Sequence, residues 1–136
     1  MKRLLLLFAL AALMTSCSIN SVENTTMKTL NLSVSAQEWT PHTDINGQNL
    51  YYFHTFPLTQ ITPAIYDQGL VQVYLYNNGG QQQLPYVQHN ENLDGARWTR
   101  TVDYDYAAGD LTVYVTSSDF FNEIPEQMFF RVVLMW

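Results

Sequence analysis

Apolar and polar side chains alternate with a period of two along several stretches of this chain. The pattern runs through residues 28–36, 70–76, 97–106 and 111–117. Successive side chains of a β-strand point to opposite faces of a sheet, so each stretch is predicted to be a strand with one buried face. No long stretch carries the periodicity of an amphipathic helix. The chain is therefore predicted to be all-β.

Turn-forming residues join these predicted strands into hairpins. Residues 77–80, Asn-Asn-Gly-Gly, accept positive φ and are expected to lead from strand 70–76 into a return strand at 81–87. Residues 107–110, Ala-Ala-Gly-Asp, are expected to make the turn of a second hairpin further along the chain. Both hairpins indicate antiparallel pairing.

Three other segments complete the predicted secondary structure. The aromatic-rich residues 50–56 suit a strand that stops at Pro57, which cannot donate to a ladder. Residues 62–69 have Thr-Pro at their start and Gly at their end, which fits one short helical turn. Residues 127–136 are almost wholly apolar. A strand that is apolar on both faces is expected in the middle of a sheet or between two layers.

About seven predicted strands with no long helix favour an antiparallel β-sandwich, with a small β-barrel as the alternative. Residues 27–136 are expected to form a single domain, since no repeat and no shift in composition divides them. Aromatic residues make up 14% of the chain, and large aromatic side chains can fill a two-layer core without disulfides. Trp98 and Trp136 are expected in that core because of their positions in the alternating pattern.

The first residues are predicted to be an export signal. Lys2 and Arg3 precede an apolar run at residues 4–13, which is too short to span a bilayer as a helix and suits a signal peptide covering residues 1–16. The sequence Leu-Met-Thr-Ser at residues 13–16, directly before Cys17, resembles the lipobox of bacterial lipoproteins. That resemblance implies cleavage before Cys17, lipidation of its thiol and anchoring to a membrane.

The alternative to lipidation is an ordinary secretory signal followed by an incidental cysteine. Cys17 is the single cysteine, so the predicted domain has no internal disulfide. Residues 17–26 are expected to be a lipidated tether, which places the protein at the bacterial outer membrane and leaves the periplasmic and surface faces both open. Loss of residues 1–16 leaves four basic and twelve acidic side chains, a net charge of −8.

Charge and composition exclude several classes of protein. An acidic chain with six basic side chains is not expected to bind nucleic acid. The hydrophobic content of 47% with 13% charged residues argues against intrinsic disorder. We predict no cofactor for this chain.

No spacing of residues indicates catalysis or a transition-metal site, so we predict a protein that is not an enzyme. The three histidines, His42, His54 and His89, show no metal-ligand spacing, and no nucleophile elbow is present. Asp103 and Asp105 lie two apart on one predicted strand face, close to Asp110. Three such carboxylates suit a calcium ion. The other interpretation, which we favour, is a solvated face.

Aromatic side chains on the polar strand faces are the candidates for ligand binding. If the valines and leucines of strands 70–76 and 111–117 point inward, Gln72, Tyr74 and Tyr114 point outward. Such a platform stacks on sugar rings or packs against a protein. Trp39 is expected to be the exposed tryptophan. The favoured alternative is that these Tyr and Thr side chains only stabilise the sheet through cross-strand pairs.

Three segments carry an overall resemblance. The sequences Leu-Pro-Tyr-Val at 84–87, Trp-Thr-Arg-Thr at 98–101 and Phe-Arg-Val-Val-Leu-Met-Trp at 130–136 make most of residues 27–136 similar to small, uncharacterised cell-envelope lipoproteins of Bacteroidetes-type bacteria. The resemblance implies an envelope lipoprotein and assigns a role to Cys17 alone. The expected function is a membrane-anchored module that binds glycan or envelope protein. The alternatives are a structural protein acting through a strand edge and an enzyme acting on an envelope polymer.

Overall fold

The structure, a computed structural model, describes residues 25–136. The predicted signal peptide and Cys17 lie outside the described residues. The described part forms nine strands and one short α-helix, α1. Their bounds are β1 Met27–Val34, β2 Thr40–Thr43, β3 Asn49–Leu58, α1 Pro63–Gln68, β4 Leu70–Asn77, β5 Gly80–Gln83, β6 Tyr86–Glu91, β7 Arg97–Ala107, β8 Gly109–Ser117 and β9 Met128–Met135.

The strands form two antiparallel sheets that pack face to face. Sheet 1 has four strands in the order β1-β9-β4-β5, and sheet 2 has five in the order β2-β3-β8-β7-β6. The predicted β-sandwich is confirmed, with more strands than expected, and the sheets do not close into a barrel. Among residues 25–136, no helix has the length and hydropathy needed to cross a membrane.

The apolar C-terminal strand occupies the middle of sheet 1, as its composition predicts. β9 pairs with β1 on one side and β4 on the other. Phe130, Val132 and Leu134 are completely buried between the sheets, whereas Arg131 lies on the outer face. Trp136, just beyond β9, is 48% exposed, so its predicted place in the core is wrong. The alternating burial of β9 does not extend past the end of the ladder.

The short helix and the first hairpin follow their local sequence. The Thr62 hydroxyl accepts a hydrogen bond from the Ile65 N–H, and the Gly69 N–H donates to the Ile65 carbonyl, so α1 begins and ends where predicted. Asn78 and Gly79 have φ of 47° and 79° in the turn between β4 and β5. Positive φ at both central residues is the twist that suits a two-residue hairpin.

Two prolines change the predicted strand limits. The predicted strand 81–87 is in fact divided, because β5 ends in sheet 1 and the chain crosses through the buried Leu84 and the exposed Pro85 into sheet 2. The predicted end at Pro57 is also wrong, since β3 continues to Leu58. Beyond Phe53, β3 pairs with β8 alone, and a strand with one free edge tolerates a proline.

The sandwich has two ends with different neighbours. β4 runs from Leu70 to Asn77, and β9 runs back from Met128 to Met135. We call the end with Met27, Leu70 and Met135 the entry end. The opposite end is the cleft end, and the space between the sheets opens there.

Candidate functional site: the cleft at one end of the sandwich

A cleft of about 310 Å³ opens between the two sheets at the cleft end. Its volume lies at the lower limit of pockets that hold small ligands. Its walls combine aromatic side chains, primary amides and three charged groups. These are Tyr52, Trp98, Phe120 and Phe121, then Asn49, Asn77, Asn78, Gln88 and Asn90, and finally Arg100, Glu123 and Glu126.

The register of sheet 2 explains why the inner face turns polar here. Tyr86 pairs with Val102, the next inward pair is Gln88 with Arg100, and the last is Asn90 with Trp98. Side chains two apart on a strand point to the same face, so Gln88 and Arg100 continue the inward row that Val102 begins. The same face therefore changes from an apolar core to a polar wall along β6 and β7.

Arg100 and Glu126 both line the cleft and form an ion pair with each other. The Arg100 guanidinium donates from Nη1 to Glu126 Oε1 (3.1 Å) and from Nη2 to Oε2 (2.8 Å). Burial alone would raise the pKa of Glu126, but the hydrogen bonds from Arg100 hold that pKa below its usual range. The pair is ionised near neutral pH, so the Arg100 charge is neutralised inside the cleft.

The segment between β8 and β9 provides the outer wall. Phe120 has a φ of 52° and is 45% exposed, and Phe121 beside it is also exposed. The Tyr52 hydroxyl donates to Asn122 Oδ1 at 2.7 Å, which ties this segment to β3. Burial raises the pKa of Tyr52, so its hydroxyl remains a donor.

Trp39 is not the exposed tryptophan that the sequence predicts. Its side chain is 6% exposed, and its indole N–H donates to the Glu126 carbonyl at 3.1 Å. A single 3₁₀ turn at Ala36–Glu38 directly precedes Trp39 and joins β1 to β2. Trp39 therefore lies behind the cleft wall and supports Glu126 from inside the core.

Gln72 and Tyr74 lie on the outer face of sheet 1, as the alternation predicts. The side chain of Arg131, from the neighbouring strand β9, lies on the same face. The Arg131 guanidinium carbon is 4.7 Å from the centre of the Tyr74 ring. A guanidinium over an aromatic face is a cation–π contact that stabilises both groups. The Gln72 amide donates to the Val73 and Leu84 carbonyls over long distances of 3.4 and 3.5 Å.

Tyr114 lies on the outer face of sheet 2, on the other side of the sandwich. Its hydroxyl donates to Asp105 Oδ2 at 2.8 Å, and its ring packs edge-on against Tyr51 with ring centres 5.7 Å apart. Burial, together with the bond and charge of Asp105, raises the pKa of Tyr114 to about 12. Tyr74 and Tyr114 therefore belong to two separate surfaces, and a single platform containing both is ruled out.

Asp103 and Asp105 lie on the same outer face of sheet 2 as Tyr114. Asp105 accepts from Tyr114, and Asp103 pairs across the ladder with Tyr114. Burial, and then the charge of Asp105, raise the pKa of Asp103. Within residues 25–136, no three His, Cys, Asp or Glu side chains lie close enough to hold a metal ion. Asp105 and Asp110 are exposed, whereas Asp103 is partly buried, so the solvated interpretation does not describe Asp103.

The sequence prediction did not identify the cleft residues, because they are polar residues at positions where the strand alternation predicts apolar ones. Gln88, Asn90 and Arg100 occupy inward positions of the alternation, where apolar residues are expected. Polar residues on the inward face of a strand end indicate a solvent-filled space between the layers. Trp98 was predicted to be core, and instead it is partly exposed in the cleft wall.

Comparisons with known proteins give no relative from which a function can be transferred. No family model, no curated protein and no solved structure matches the chain. Function is therefore inferred from the geometry and chemistry of the cleft.

Proposed function

We propose that the protein is a lipid-anchored, glycan-binding module of the bacterial cell envelope. The cleft between the sheets would hold the end, or a short stretch, of a neutral oligosaccharide. One observation supports the proposal above the others: five primary amides and four aromatic side chains line the same cleft. The proposal contains no catalytic step.

Sugar recognition needs both kinds of side chain. A sugar hydroxyl donates and accepts hydrogen bonds at once, and each Asn or Gln amide offers an acceptor oxygen and two donors. The C–H face of a pyranose ring is apolar and packs against an aromatic face. Trp98 and Phe121 supply apolar surface, and Gln88 and Asn90 lie on the neighbouring strand positions.

The charge balance of the cleft favours a neutral ligand. The guanidinium of Arg100 is engaged by both oxygens of Glu126. Glu123 adds a carboxylate to the lining. An anionic sugar would meet these carboxylates and lose affinity, whereas a neutral one would accept hydrogen bonds from the part of Arg100 that faces solvent.

Attachment to the envelope rests on the sequence of residues 1–17. The lipobox-like segment before Cys17 supports a lipid anchor at the outer membrane. Several acyl chains on one residue hold a protein stably on a membrane, where a single chain binds marginally. Mass spectrometry of the mature amino terminus tests this part of the proposal, and an unmodified Cys17 contradicts it.

The cleft is tested by binding of neutral oligosaccharides to the full chain purified in detergent. A glycan array identifies a ligand, and calorimetry compares Trp98→Ala and Gln88→Ala with the wild type. We expect each variant to lose about tenfold in affinity, because removal of an aromatic contact or a hydrogen bond costs about 1 kcal/mol or slightly more.

Variants of the two outer faces are the matched controls. Tyr74→Ala and Tyr114→Ala remove exposed-face aromatics of similar size outside the cleft, and we expect them to keep the wild-type affinity. If Tyr74→Ala or Tyr114→Ala lost binding while the cleft variants kept it, the binding site would be on a sheet face and the cleft proposal would be wrong. The absence of any bound neutral glycan would contradict the proposed function.

A second candidate is an assembly role through a strand edge. β1 is an eight-residue edge strand of sheet 1 and carries one charged side chain, Lys28. A long edge with few charges can pair with a strand of another chain. A chain that stays monomeric by light scattering and captures no partner from native membranes would contradict this role.

A further inference from the structure

The entry end of the sandwich carries a group of exposed apolar side chains. Met27 is 66% exposed, Leu70 48% and Trp136 48%. Met135 pairs with Met27 on one side and with Leu70 on the other, so Met27, Met135 and Leu70 form one row across the outer face of sheet 1. Trp136 follows Met135 directly, at the end of the sandwich. Tyr66, 50% exposed, lies on α1, which leads directly into Leu70.

This row is next to the point where the chain enters the domain. Thr26 and Trp136 exchange two backbone hydrogen bonds, of 2.7 and 3.0 Å, directly beyond the ladder of β1 and β9. Nine residues, 18–26, separate Cys17 from Met27. At about 3.5 Å per residue they reach at most roughly 35 Å, so a lipid on Cys17 keeps the entry end near the membrane surface.

We propose that the apolar entry end docks against the lipid bilayer and orients the protein on the membrane. The docking surface consists of Met27, Tyr66, Leu70, Met135 and Trp136. This inference rests on the lipid anchor of the proposed function and adds a second contact to it. The acyl chains would supply affinity, and the docking surface would set the direction in which the domain points.

The composition of the surface suits the boundary between water and lipid. Tryptophan and tyrosine sit at the level of the headgroups, where a ring is partly apolar and partly hydrated. Methionine and leucine side chains extend into the acyl region beneath. Lys28, the residue after Met27, is exposed and carries the one charge of β1.

The orientation has a direct consequence for the cleft. β4 connects the two ends with eight residues, a length of about 26 Å at 3.3 Å per residue. With the entry end on the bilayer, the cleft is held about that far from the lipid and opens away from it. A glycan would then reach the cleft without contacting the membrane.

The test uses the full chain, expressed with its own signal region, reconstituted into phosphatidylethanolamine–phosphatidylglycerol vesicles with and without a doxyl-labelled lipid. Flotation first measures attachment to the vesicles. Quenching of tryptophan fluorescence then reports which tryptophan contacts lipid. We expect quenching in the wild type, its loss in Trp136→Phe and its retention in Trp98→Phe.

A pair of matched surface variants tests the docking surface itself. Leu70→Ser and Phe129→Ser replace side chains of nearly equal exposure, 48% and 49%, at opposite ends of the outer face of sheet 1. We expect Leu70→Ser to reduce the quenching of Trp136 and Phe129→Ser to leave it unchanged. Circular dichroism confirms that both variants fold.

The outcomes separate the docking from the anchor. A chain that does not float with vesicles overturns the lipid anchor and the docking together. A chain that floats while Trp136 is not quenched keeps the anchor and overturns the docking alone. Equal quenching in Leu70→Ser and Phe129→Ser also overturns the docking surface.

Discussion

The guanidinium of Arg100 and the carboxylate of Glu126 form two parallel hydrogen bonds that join the two sheets at the mouth of the cleft. Arg100 lies on β7 of sheet 2, and Glu126 lies two residues before Met128, where β9 of sheet 1 begins. The backbone carbonyl of Glu126 also accepts from the indole of Trp39. One residue therefore links a surface ion pair to the buried core.

Glu126→Gln is expected to destabilise the fold modestly and in a pH-dependent way. The Glu126 side chain is 67% exposed, so solvent screening limits the loss to about 1 kcal/mol at pH 7. The folded pKa of Glu126 is lowered, so its contribution is complete above the unfolded pKa of about 4.3 and is lost as the pH falls through the folded value. Denaturant unfolding of both proteins at several pH values measures the difference.

The difference between wild type and Glu126→Gln is expected to be largest at neutral pH and to shrink below about pH 4. Glu91→Gln is the matched control, because Glu91 forms an ion pair with Arg97 in which both side chains are more than half exposed. A constant difference across the pH range would contradict the assigned ionisation of Glu126.

Trp39→Ala is expected to cost far more stability than Trp136→Ala. Trp39 is buried in the core cluster, and removal of a buried aromatic side chain costs about 3 to 5 kcal/mol. Trp136 is half exposed, and its removal is expected to cost about 1 kcal/mol or less. Chemical denaturation compares the two, and similar losses would contradict the burial described for Trp39.

Gly69→Ala is expected to destabilise the protein by about 1 to 3 kcal/mol, as overpacking does. A Cβ at Gly69 would lie 2.8 Å from the carbonyl oxygens of Ile65 and Met135, both backbone atoms that cannot rotate away. Gly80→Ala is the control, since its Cβ would meet the nearest atom at an ordinary 3.5 Å. Thermal unfolding measures both, and an unchanged midpoint for Gly69→Ala would contradict the close approach of α1 to β9.

Asp103→Asn is expected to stabilise the protein slightly at neutral pH, by about 0.5 kcal/mol or less. Burial and the charge of Asp105 raise the folded pKa of Asp103, so the ionised carboxylate is less favourable in the folded state. The wild type therefore gains stability as the pH falls through that raised value, and the advantage of Asp103→Asn disappears below about pH 3.9. Unfolding at pH 7 and pH 3 checks the sign, and a variant that is less stable at pH 7 would contradict it.

Much of the fold could be predicted from local patterns. The alternation in β4, β7 and β8 determined which side chains face the core, and the Asn78-Gly79 turn determined a hairpin. The apolar composition of β9 determined its central place in sheet 1. These features depend on residues close together in sequence. The alternation of side chains along a strand and the residue types of a turn can therefore be read without knowing the tertiary structure.

The candidate site was decided by contacts that are distant in sequence. Alternation placed Tyr74 and Tyr114 on outer faces, but it does not say that their strands belong to different sheets. The chain crosses between sheets at Leu84 and Pro85, within a run that reads as one strand. The position where the inner face of sheet 2 meets solvent is marked in the sequence only by polar residues at inward positions of β6 and β7.

The sequence by itself determined an all-β chain, an acidic surface and the inward faces of its longest strands, because side-chain direction in a strand follows from residue parity. The tertiary structure alone decided that Trp39 is buried and that Trp98, Gln88 and Arg100 line a cleft. These three cleft residues have the inward parity of core residues. They meet solvent because, at the cleft end, sheet 2 faces the Phe120–Glu126 segment across an open space.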